Sequence, residues 1–321
     1  MKYNIFEANE ENGYNFSFIL VSPDKVENGS KIFVEGANSV DYEVEGQQSY
    51  EAQVKYAEEY AKWLTEAQDG QNFNMAYLYQ QLNSPVIIPI IERCDNEHQG
   101  EFYTQMLGRN VVAQKSGKFA NLSKQVLNMV NYVKGEYQKS GISMQEKNGL
   151  IGFSASGVFA SRMMFAEPES FDTCISICSN AVQPLPVDTV TKKKLFSTEE
   201  VTLPYPLGTA DYEELFGKKF DLDSYKRAKQ MYIVGQDESN RDYDIAKKDR
   251  LHDKDTQELY MKLYGDCGIQ ERQKKIANFM NNRGFNNISC IVSSGDHSLK
   301  NKGRDIMSFV NSVMDREREK E

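Results

Sequence analysis

The segment NGLIGFSASGVFASRMMF, at positions 148–165, constrains the fold of this chain more than any other. It begins with a continuous apolar run, which is typical of a strand buried on both faces, and it ends in a helix-forming stretch. Between the two lies a serine, Ser154, with the small residues Gly152 and Ser156 two positions away on either side. A strand can turn this sharply into a helix only when its flanking residues are small, because larger side chains would collide. The segment therefore predicts a tight strand-to-helix turn with Ser154 at its tip.

The rest of the chain alternates short apolar runs with long segments of helical character. This alternation is typical of a mainly parallel sheet with helices on both faces. The predicted strands are 16–21, 31–35, 85–91, 149–153, 173–178, 231–235 and 288–293. The predicted helices are 50–67, 122–139, 158–166, 256–283 and 305–316. Because α/β enzymes of this length are commonly built around one sheet, we expect 1–321 to form a single domain.

The segment 180–230 breaks this alternation, and it carries four of the eight prolines and a run of aromatic residues. A long insertion between two strands commonly forms a lid or a pocket wall, although a mere surface excursion is nearly as common. We expect a lid-like insertion in which Tyr205, Tyr212 and Phe216 line a substrate pocket. The alternative is that these rings only pack the insertion onto the sheet.

Composition excludes several classes of partner. The formal net charge is −9 and no basic stripe occurs, whereas a nucleic-acid partner requires Lys and Arg side chains against its phosphates. No stretch of the sequence comes near 18 uninterrupted apolar residues, the length that a membrane-spanning helix needs. The first residues lack the pattern of a signal peptide. We therefore expect a soluble cytoplasmic protein without a membrane span. The cysteines have no paired ligand spacing and suit a reducing compartment; they are Cys94, Cys174, Cys178, Cys267 and Cys290.

A serine hydroxyl is a poor nucleophile at neutral pH unless a general base lies within hydrogen-bond reach. The chain has three histidines, of which His98 lies in a polar loop before Ser154 and His252 at the start of a charged helix. In enzymes whose serine lies at such a turn, the histidine follows the last strand, and His297 alone meets this condition. We therefore predict Ser154 as nucleophile and His297 as general base, with Ser156 as a minor alternative nucleophile.

A carboxylate is expected just after the preceding strand, where it would hold the imidazole in the required tautomer. The strand MYIVG is followed by both Asp237 and Glu238. A register of glycine, two residues and then the acid favours Glu238, whereas the commoner choice of aspartate favours Asp237. The two alternatives stay open, with a slight preference for Glu238.

An oxyanion hole needs two backbone N–H groups directed at the developing negative charge. The residue after the nucleophile, Ala155, is expected to supply the first. The loop that follows the predicted strand 85–91 is expected to supply the second, from Ile91 or Glu92.

With these residues placed, the chain resembles the α/β-hydrolase superfamily, and within it the esterases and polyhydroxybutyrate-depolymerase-like members. The resemblance is carried by GFSASG as the nucleophile turn, YIVGQDESN as the acid turn, SSGDH as the histidine loop, and VIIPIIERCD with Tyr103 as the oxyanion strand and loop. Ser156 departs from the pattern, since a glycine is usual at its position. The resemblance implies an α/β-hydrolase fold with a lid-like insertion before the acid-bearing strand.

The same resemblance implies cleavage of small carboxylic esters through an acyl-enzyme intermediate, with no metal and no organic cofactor. Two other functions remain as alternatives. A serine peptidase or acyltransferase would use the same three residues, and would differ in whether the insertion leaves an open groove or a closed acyl pocket. A binding protein that retains the fold without catalysis is disfavoured, because Ser154, His297 and an acid are all present.

Overall fold

The computed structural model describes residues 1–37, 50–67, 73–92, 107–179, 183–193, 198–238, 254–265 and 267–318. Four residues that the sequence analysis singled out, Cys94, His98, Tyr103 and His252, lie outside the described residues, as do two short parts of the insertion, 180–182 and 194–197.

The described residues contain ten strands. They are β1 (Lys2–Phe6), β2 (Phe18–Ser22), β3 (Phe33–Val34), β4 (Val86–Pro89), β5 (Asn148–Phe153), β6 (Phe171–Ile177), β7 (Thr189–Lys193), β8 (Thr198–Thr202), β9 (Lys229–Gly235) and β10 (Ile288–Ser293). Eight of them form one sheet in the order β1-β2-β4-β3-β5-β6-β9-β10, while β7 and β8 form a separate antiparallel pair. In the large sheet β2 runs antiparallel to both of its neighbours, β1 and β4. The six strands β4, β3, β5, β6, β9 and β10 are parallel to one another.

The helices account for most of the remaining described chain. They are α1 (Tyr50–Glu66), α2 (Met75–Leu82), α3 (Arg109–Val112), α4 (Leu122–Lys139), α5 (Ala155–Ala166), α6 (Tyr212–Phe216), α7 (Leu222–Arg227), α8 (Lys254–Tyr264), α9 (Ile269–Asn281) and α10 (Gly303–Arg318). Across the described residues, the helices are too short or too polar to cross a lipid bilayer.

Two apolar clusters cover the opposite faces of the sheet. One contains buried residues of α4, α5, α8 and α9, and the other contains those of α1, α2 and α10. Successive residues of a strand point to opposite faces, and accordingly Val34 belongs to the first cluster and Phe33 to the second. This three-layer arrangement explains why the parallel strands read as continuous apolar runs.

The predicted sheet and flanking helices are confirmed, with two corrections. The predicted helix 256–283 is in fact two helices, α8 and α9, because Gly265 adopts a left-handed conformation with φ of 68° and ends the first of them. The sequence analysis also overlooked β1 and α2. The strand β1 lies at the edge of the sheet with one exposed face, so its sequence KYNIF lacks the continuous apolar run of a central strand.

The segment 180–230 leaves the sheet after β6 and returns to it at β9. Within its described part, the β7–β8 pair comes first and the short helices α6 and α7 follow. The insertion therefore precedes the strand that leads into the acidic turn, which is where the sequence analysis placed it.

Candidate active site

Ser154 lies between the last residue of β5 and the first residue of α5. Its φ of 60° and ψ of −120° are unusual for a residue with a side chain, and such strained backbone is typical of functional turns. A Cβ atom on Gly152 would lie 2.2 Å from the Ser156 carbonyl carbon, which explains why position 152 is a glycine. The backbone N–H of Ser154 donates to the carbonyl of Ile177 at 2.8 Å and so fixes the turn to the end of β6.

Ser156 closes the turn from inside. Its Oγ accepts a hydrogen bond from the Phe153 N–H at 2.7 Å and lies 2.9 Å from the Phe153 carbonyl oxygen. The side chain is buried, whereas Ser154 is half-buried. Ser156 therefore has a structural place in the turn, and its hydroxyl lies away from solvent.

His297 lies in the loop after β10, and it links Ser154 to Glu238. Its Nε2 is 3.0 Å from Ser154 Oγ, while its Nδ1 contacts Glu238 Oε1. An ionised carboxylate only accepts hydrogen bonds, so Nδ1 carries a hydrogen and donates a hydrogen bond to Glu238. Nε2 is then free to accept the hydrogen of the Ser154 hydroxyl. The three side chains thus form one continuous hydrogen-bonded chain.

Glu238, rather than Asp237, contacts the histidine. Asp237 is exposed, and its backbone N–H donates to the Gly295 carbonyl at 2.9 Å. The Glu238 side chain is fully buried, and its second oxygen accepts the Gly235 N–H at 2.9 Å. Burial alone would raise the pKa of the Glu238 carboxyl, but the hydrogen bonds from His297 and Gly235 outweigh it and hold this pKa below its ordinary value. The carboxylate is therefore ionised at neutral pH.

Lys302 is a part of this site that the sequence analysis did not identify. It is fully buried, and its Nζ donates to the carbonyls of Asp296 at 2.6 Å and Ser298 at 2.8 Å, on either side of His297. Its charge also helps to lower the pKa of Glu238. In the sequence Lys302 is one of two lysines in a polar stretch, and no local pattern distinguishes it from the other, Lys300.

Cys178, Glu238 and His297 are the candidate metal ligands in the described part of the chain, with ligand atoms within 4.8 Å of one another. A cysteine binds a metal as its thiolate. Burial raises the pKa of the Cys178 thiol to about 12, and the nearby charge of Glu238 adds to this effect, so the thiol stays protonated. The Nδ1 of His297 already forms a hydrogen bond with Glu238. The donor set therefore fits a metal poorly.

The predicted oxyanion residues follow two strands, β5 and β4, that are not neighbours in the sheet. Ala155 is the first residue of α5, and the N–H groups of a helix's first turn have no partner within the helix. Ile91 and Glu92 follow β4, but the strands on either side of β5 are β3 and β6. Ile91 is buried in the core, and Glu92 forms an ion pair with Lys118. The main chain directly after β3 thus follows the strand that pairs with β5, whereas the predicted loop follows a strand one place further away. This strand order was not readable from the sequence.

The aromatic residues of the insertion pack into one cluster around Phe165 of α5. Tyr205 and Tyr212 are buried, and their hydroxyls donate at 2.6 Å to the carbonyls of Leu107 and Ala166. Phe216 is half-buried, with its ring centroid 4.5 Å from that of Tyr212. These contacts favour a packing role for the two tyrosines, while the lining of a substrate pocket stays a prediction for Phe216.

We expect Tyr205→Ala to lower the free energy of unfolding by about 3–5 kcal/mol, the usual loss for a large aromatic side chain in a core. It should leave the ratio of kcat/KM values for octanoate and acetate esters unchanged. Phe216→Ala should instead reduce this ratio, because the lost apolar area would contact only a long acyl chain. Thermal unfolding and kinetics with p-nitrophenyl acetate, butyrate and octanoate measure both effects. An equal fall for all three esters in Phe216→Ala would restrict Phe216 to a packing role.

No protein-family model and no curated protein sequence matches the chain. Solved structures are similar to it. Poly(aspartic acid) hydrolase-1 from Sphingomonas sp. KT-1 has a TM-score of 0.51 at 13% identity, over 96% of this chain and 97% of that one. A poly(3-hydroxybutyrate) depolymerase from Bordetella parapertussis also has a TM-score of 0.51 at 13% identity, over 98% of this chain and 89% of that one. Together with the sheet order and the serine turn, this similarity shows that the chain has the α/β-hydrolase fold.

Proposed function

We propose that the protein is a serine hydrolase that cleaves small carboxylic esters through an acyl-enzyme intermediate. The observation that carries this proposal is the hydrogen-bonded chain from Ser154 Oγ through His297 to Glu238. A nucleophile, a base within reach of its proton, and a group that orients the base are the three requirements of nucleophilic catalysis at a serine.

In the first half of the reaction, Ser154 Oγ attacks the carbonyl carbon of the ester while His297 Nε2 takes the hydroxyl proton. Glu238 holds the ring with Nδ1 protonated and stabilises the positive charge that the imidazole acquires. The protonated Nε2 then gives its proton to the alkoxide oxygen of the leaving alcohol. The C–O bond of the ester breaks, and the acyl group stays on Ser154.

In the second half, a water molecule takes the place of the alcohol. His297 Nε2 removes a proton from this water as it attacks the acyl carbon, and then returns the proton to Ser154 Oγ. The carboxylic acid leaves and the free serine is restored. Each proton therefore moves through the same nitrogen, which fits the single contact between His297 and Ser154.

The negative charge that forms on the carbonyl oxygen needs two N–H donors. We assign the first to Ala155 and the second to the main chain at 36–37, which directly follows β3. Two facts support this assignment: β3 pairs with β5, and a Cβ on Gly36 would lie 2.7 Å from the Phe159 ring of α5. The main chain at position 36 thus lies against the helix that begins at Ala155.

Covalent labelling with a fluorophosphonate tests this proposal directly, because such probes phosphonylate a serine that has been activated by a base. One equivalent of probe should bind per chain, on the peptide that contains Ser154, and hydrolysis of p-nitrophenyl acetate should fall in proportion to labelling. Labelling on any other peptide, or full hydrolysis by the labelled protein, would contradict the proposal.

A matched pair of substrates separates an esterase from a peptidase on the same residues. We expect p-nitrophenyl acetate to be hydrolysed and p-nitroacetanilide, which has the same acyl group on an amide nitrogen, to be left intact. Comparable turnover of the two would favour the peptidase alternative, and transfer of the acyl group to an added alcohol in preference to water would favour an acyltransferase.

A further inference from the structure

A buried carboxylate lies beside the Ser154 turn, outside the reaction described above. Glu35 follows β3 directly, and its side chain is fully buried. A glutamate is almost never fully buried unless other groups satisfy it, because removing its charge from water is costly. The surroundings of Glu35 must therefore supply hydrogen-bond donors.

Three hydroxyl groups supply them, each from a different helix. Tyr79 of α2 contacts Glu35 Oε2, Tyr60 of α1 lies 3.2 Å from Oε1, and Ser156 Oγ of α5 lies 3.3 Å from the same oxygen. We call these four side chains the Glu35 junction. It ties β3, α1 and α2 to the helix that begins directly after Ser154.

The junction reaches both sides of the proposed oxyanion hole. Ser156 accepts the N–H of Phe153, the residue before Ser154, so it links Glu35 to the main chain of the turn. On the other side, Glu35 immediately precedes the segment 36–37, which lies against Phe159 of α5. A shift of the Glu35 carboxylate would therefore move the nucleophile turn and the segment 36–37 relative to each other.

We propose that Glu35 is a positioning residue, whose carboxylate form holds the Ser154 turn and the segment 36–37 in the arrangement that reaction requires. This inference rests on the proposed function, since it assumes that Ser154 is the nucleophile. We do not assign Glu35 a contact with the substrate. Displacement of a reacting group by a fraction of an ångström is enough to lower the rate strongly, because attack requires close approach and alignment.

The ionisation of Glu35 offers a way to observe this role. Burial raises the pKa of the Glu35 carboxyl to about 7, although hydrogen bonds from Tyr79, Tyr60 and Ser156 act in the opposite direction. The two tyrosines have pKa values raised well above 10, mainly by burial, so they remain donors; Tyr56 adds to this effect at Tyr60. When Glu35 is protonated, it becomes a donor itself and can no longer accept from all three hydroxyls.

The raised pKa also has a defined effect on stability. The folded protein binds a proton at Glu35 more tightly than the unfolded chain, whose pKa is about 4.5. The contribution of this group to stability is therefore largest below pH 4.5 and is lost as the pH rises through 7. The amide of Glu35→Gln does not titrate, so the variant does not lose this stability. The melting temperature of the variant minus that of the wild type should therefore increase as the pH rises from 4.5 to 7.

The main experiment compares Glu35→Gln with Glu167→Gln. Glu167 is also a fully buried carboxylate with three donors, Ser123, Lys124 and Lys218, but it lies at the far end of α5. In Glu35→Gln, kcat for p-nitrophenyl acetate and the rate constant of fluorophosphonate labelling should fall about 10- to 100-fold, the equivalent of one lost hydrogen bond to a charged group. KM should change little. In Glu167→Gln, stability should fall while both rates stay at the wild-type value.

The pH profile of kcat provides a readout that a merely structural residue would not change. Protonation of Glu35 should lower kcat, so the acidic side of the wild-type profile should involve one proton more than that of Glu35→Gln. The same number of protons in both profiles would overturn the inference.

Tyr60→Phe is a second variant that tests the inference even if Glu35→Gln does not fold. It removes one hydrogen-bond donor to Glu35 and keeps the aromatic ring. It should lower the labelling rate in the same direction by a smaller factor. If the wild type labels at Ser154 and the rates of Glu35→Gln and Tyr60→Phe are unchanged, the inference is wrong and the proposed function stands. If the wild type does not label at all, the proposed function itself fails.

Discussion

Replacing Ser154 with alanine is expected to lower kcat for p-nitrophenyl acetate by about 10⁶-fold, the loss found when the serine of a comparable triad is removed. Alanine lacks the oxygen that forms the acyl-enzyme, so only the oxyanion donors and substrate binding would still accelerate hydrolysis. Fluorophosphonate labelling should disappear at the same time. The melting temperature should stay close to that of the wild type, because alanine keeps the Cβ and adds no atom to the turn.

Ser161→Ala is the matched control for this experiment. Ser161 lies on the same helix, is buried, and donates to the Val158 carbonyl at 2.9 Å. The control should retain wild-type labelling and turnover. If the Ser154 variant labels as fast as the control, Ser154 is not the nucleophile.

Replacing Glu238 with glutamine is expected to lower kcat by about 10⁴-fold, since an amide neither fixes the required tautomer of His297 nor stabilises the imidazolium. The isosteric change Asp237→Asn at the neighbouring exposed position should have little effect. Kinetics of both variants at one pH, with labelling rates, measure the difference. Small and equal losses would remove this turn from the mechanism.

The same pair of variants should differ in acid stability. The folded-state pKa of Glu238 lies below its ordinary value, so its ionised form stabilises the fold above that ordinary value. This stabilisation is lost as the pH falls through the folded-state pKa. Thermal unfolding between neutral and acidic pH should therefore show a smaller decline for Glu238→Gln than for Asp237→Asn.

The fold and the strand-to-helix turn at Ser154 could be predicted because local sequence determines them strongly. The strands β5, β6 and β9 are buried along nearly their whole length, so they appear in the sequence as apolar runs. The Ser154 turn requires small neighbours, and a Cβ on Gly152 has no space in it. Both signals depend on residues that are close together in the sequence.

The carboxylate that contacts His297 and the segment that follows the neighbour of β5 were harder to predict because they depend on three-dimensional neighbours. Asp237 and Glu238 have nearly identical sequence surroundings, and only the direction of the chain after Gly235 brings one of them to His297. The choice between 36–37 and Ile91 depends on which strand pairs with β5, and no sequence pattern in either strand encodes its neighbour.

Glu35 and Lys302 were overlooked for a related reason. Charged residues at the end of a strand or in a polar loop are usually exposed, so composition places both at the surface. Glu35 is satisfied by donors from distant parts of the chain, Tyr60 and Tyr79. Lys302 is satisfied by the carbonyls of Asp296 and Ser298, which reach it only because the loop folds back on itself. A sequence alone gives no sign of such partners.

The pairing of β9 with β10 continues beyond both strands into the loops that carry Glu238 and His297. The Gln236 N–H donates to the Ser293 carbonyl at 2.6 Å, the next residue along is bonded to Gly295, and a Cβ on Gly235 would lie 2.4 Å from the Gly295 oxygen. Glu238 and His297 are thus joined by the main chain as well as by their side chains. Because β10 is at the edge of the described sheet, its detachment from β9 is a local unfolding event that would separate them. Such an opening would break the contact between Glu238 and His297 in one step, while Ser154 and its turn stayed folded on the central strands.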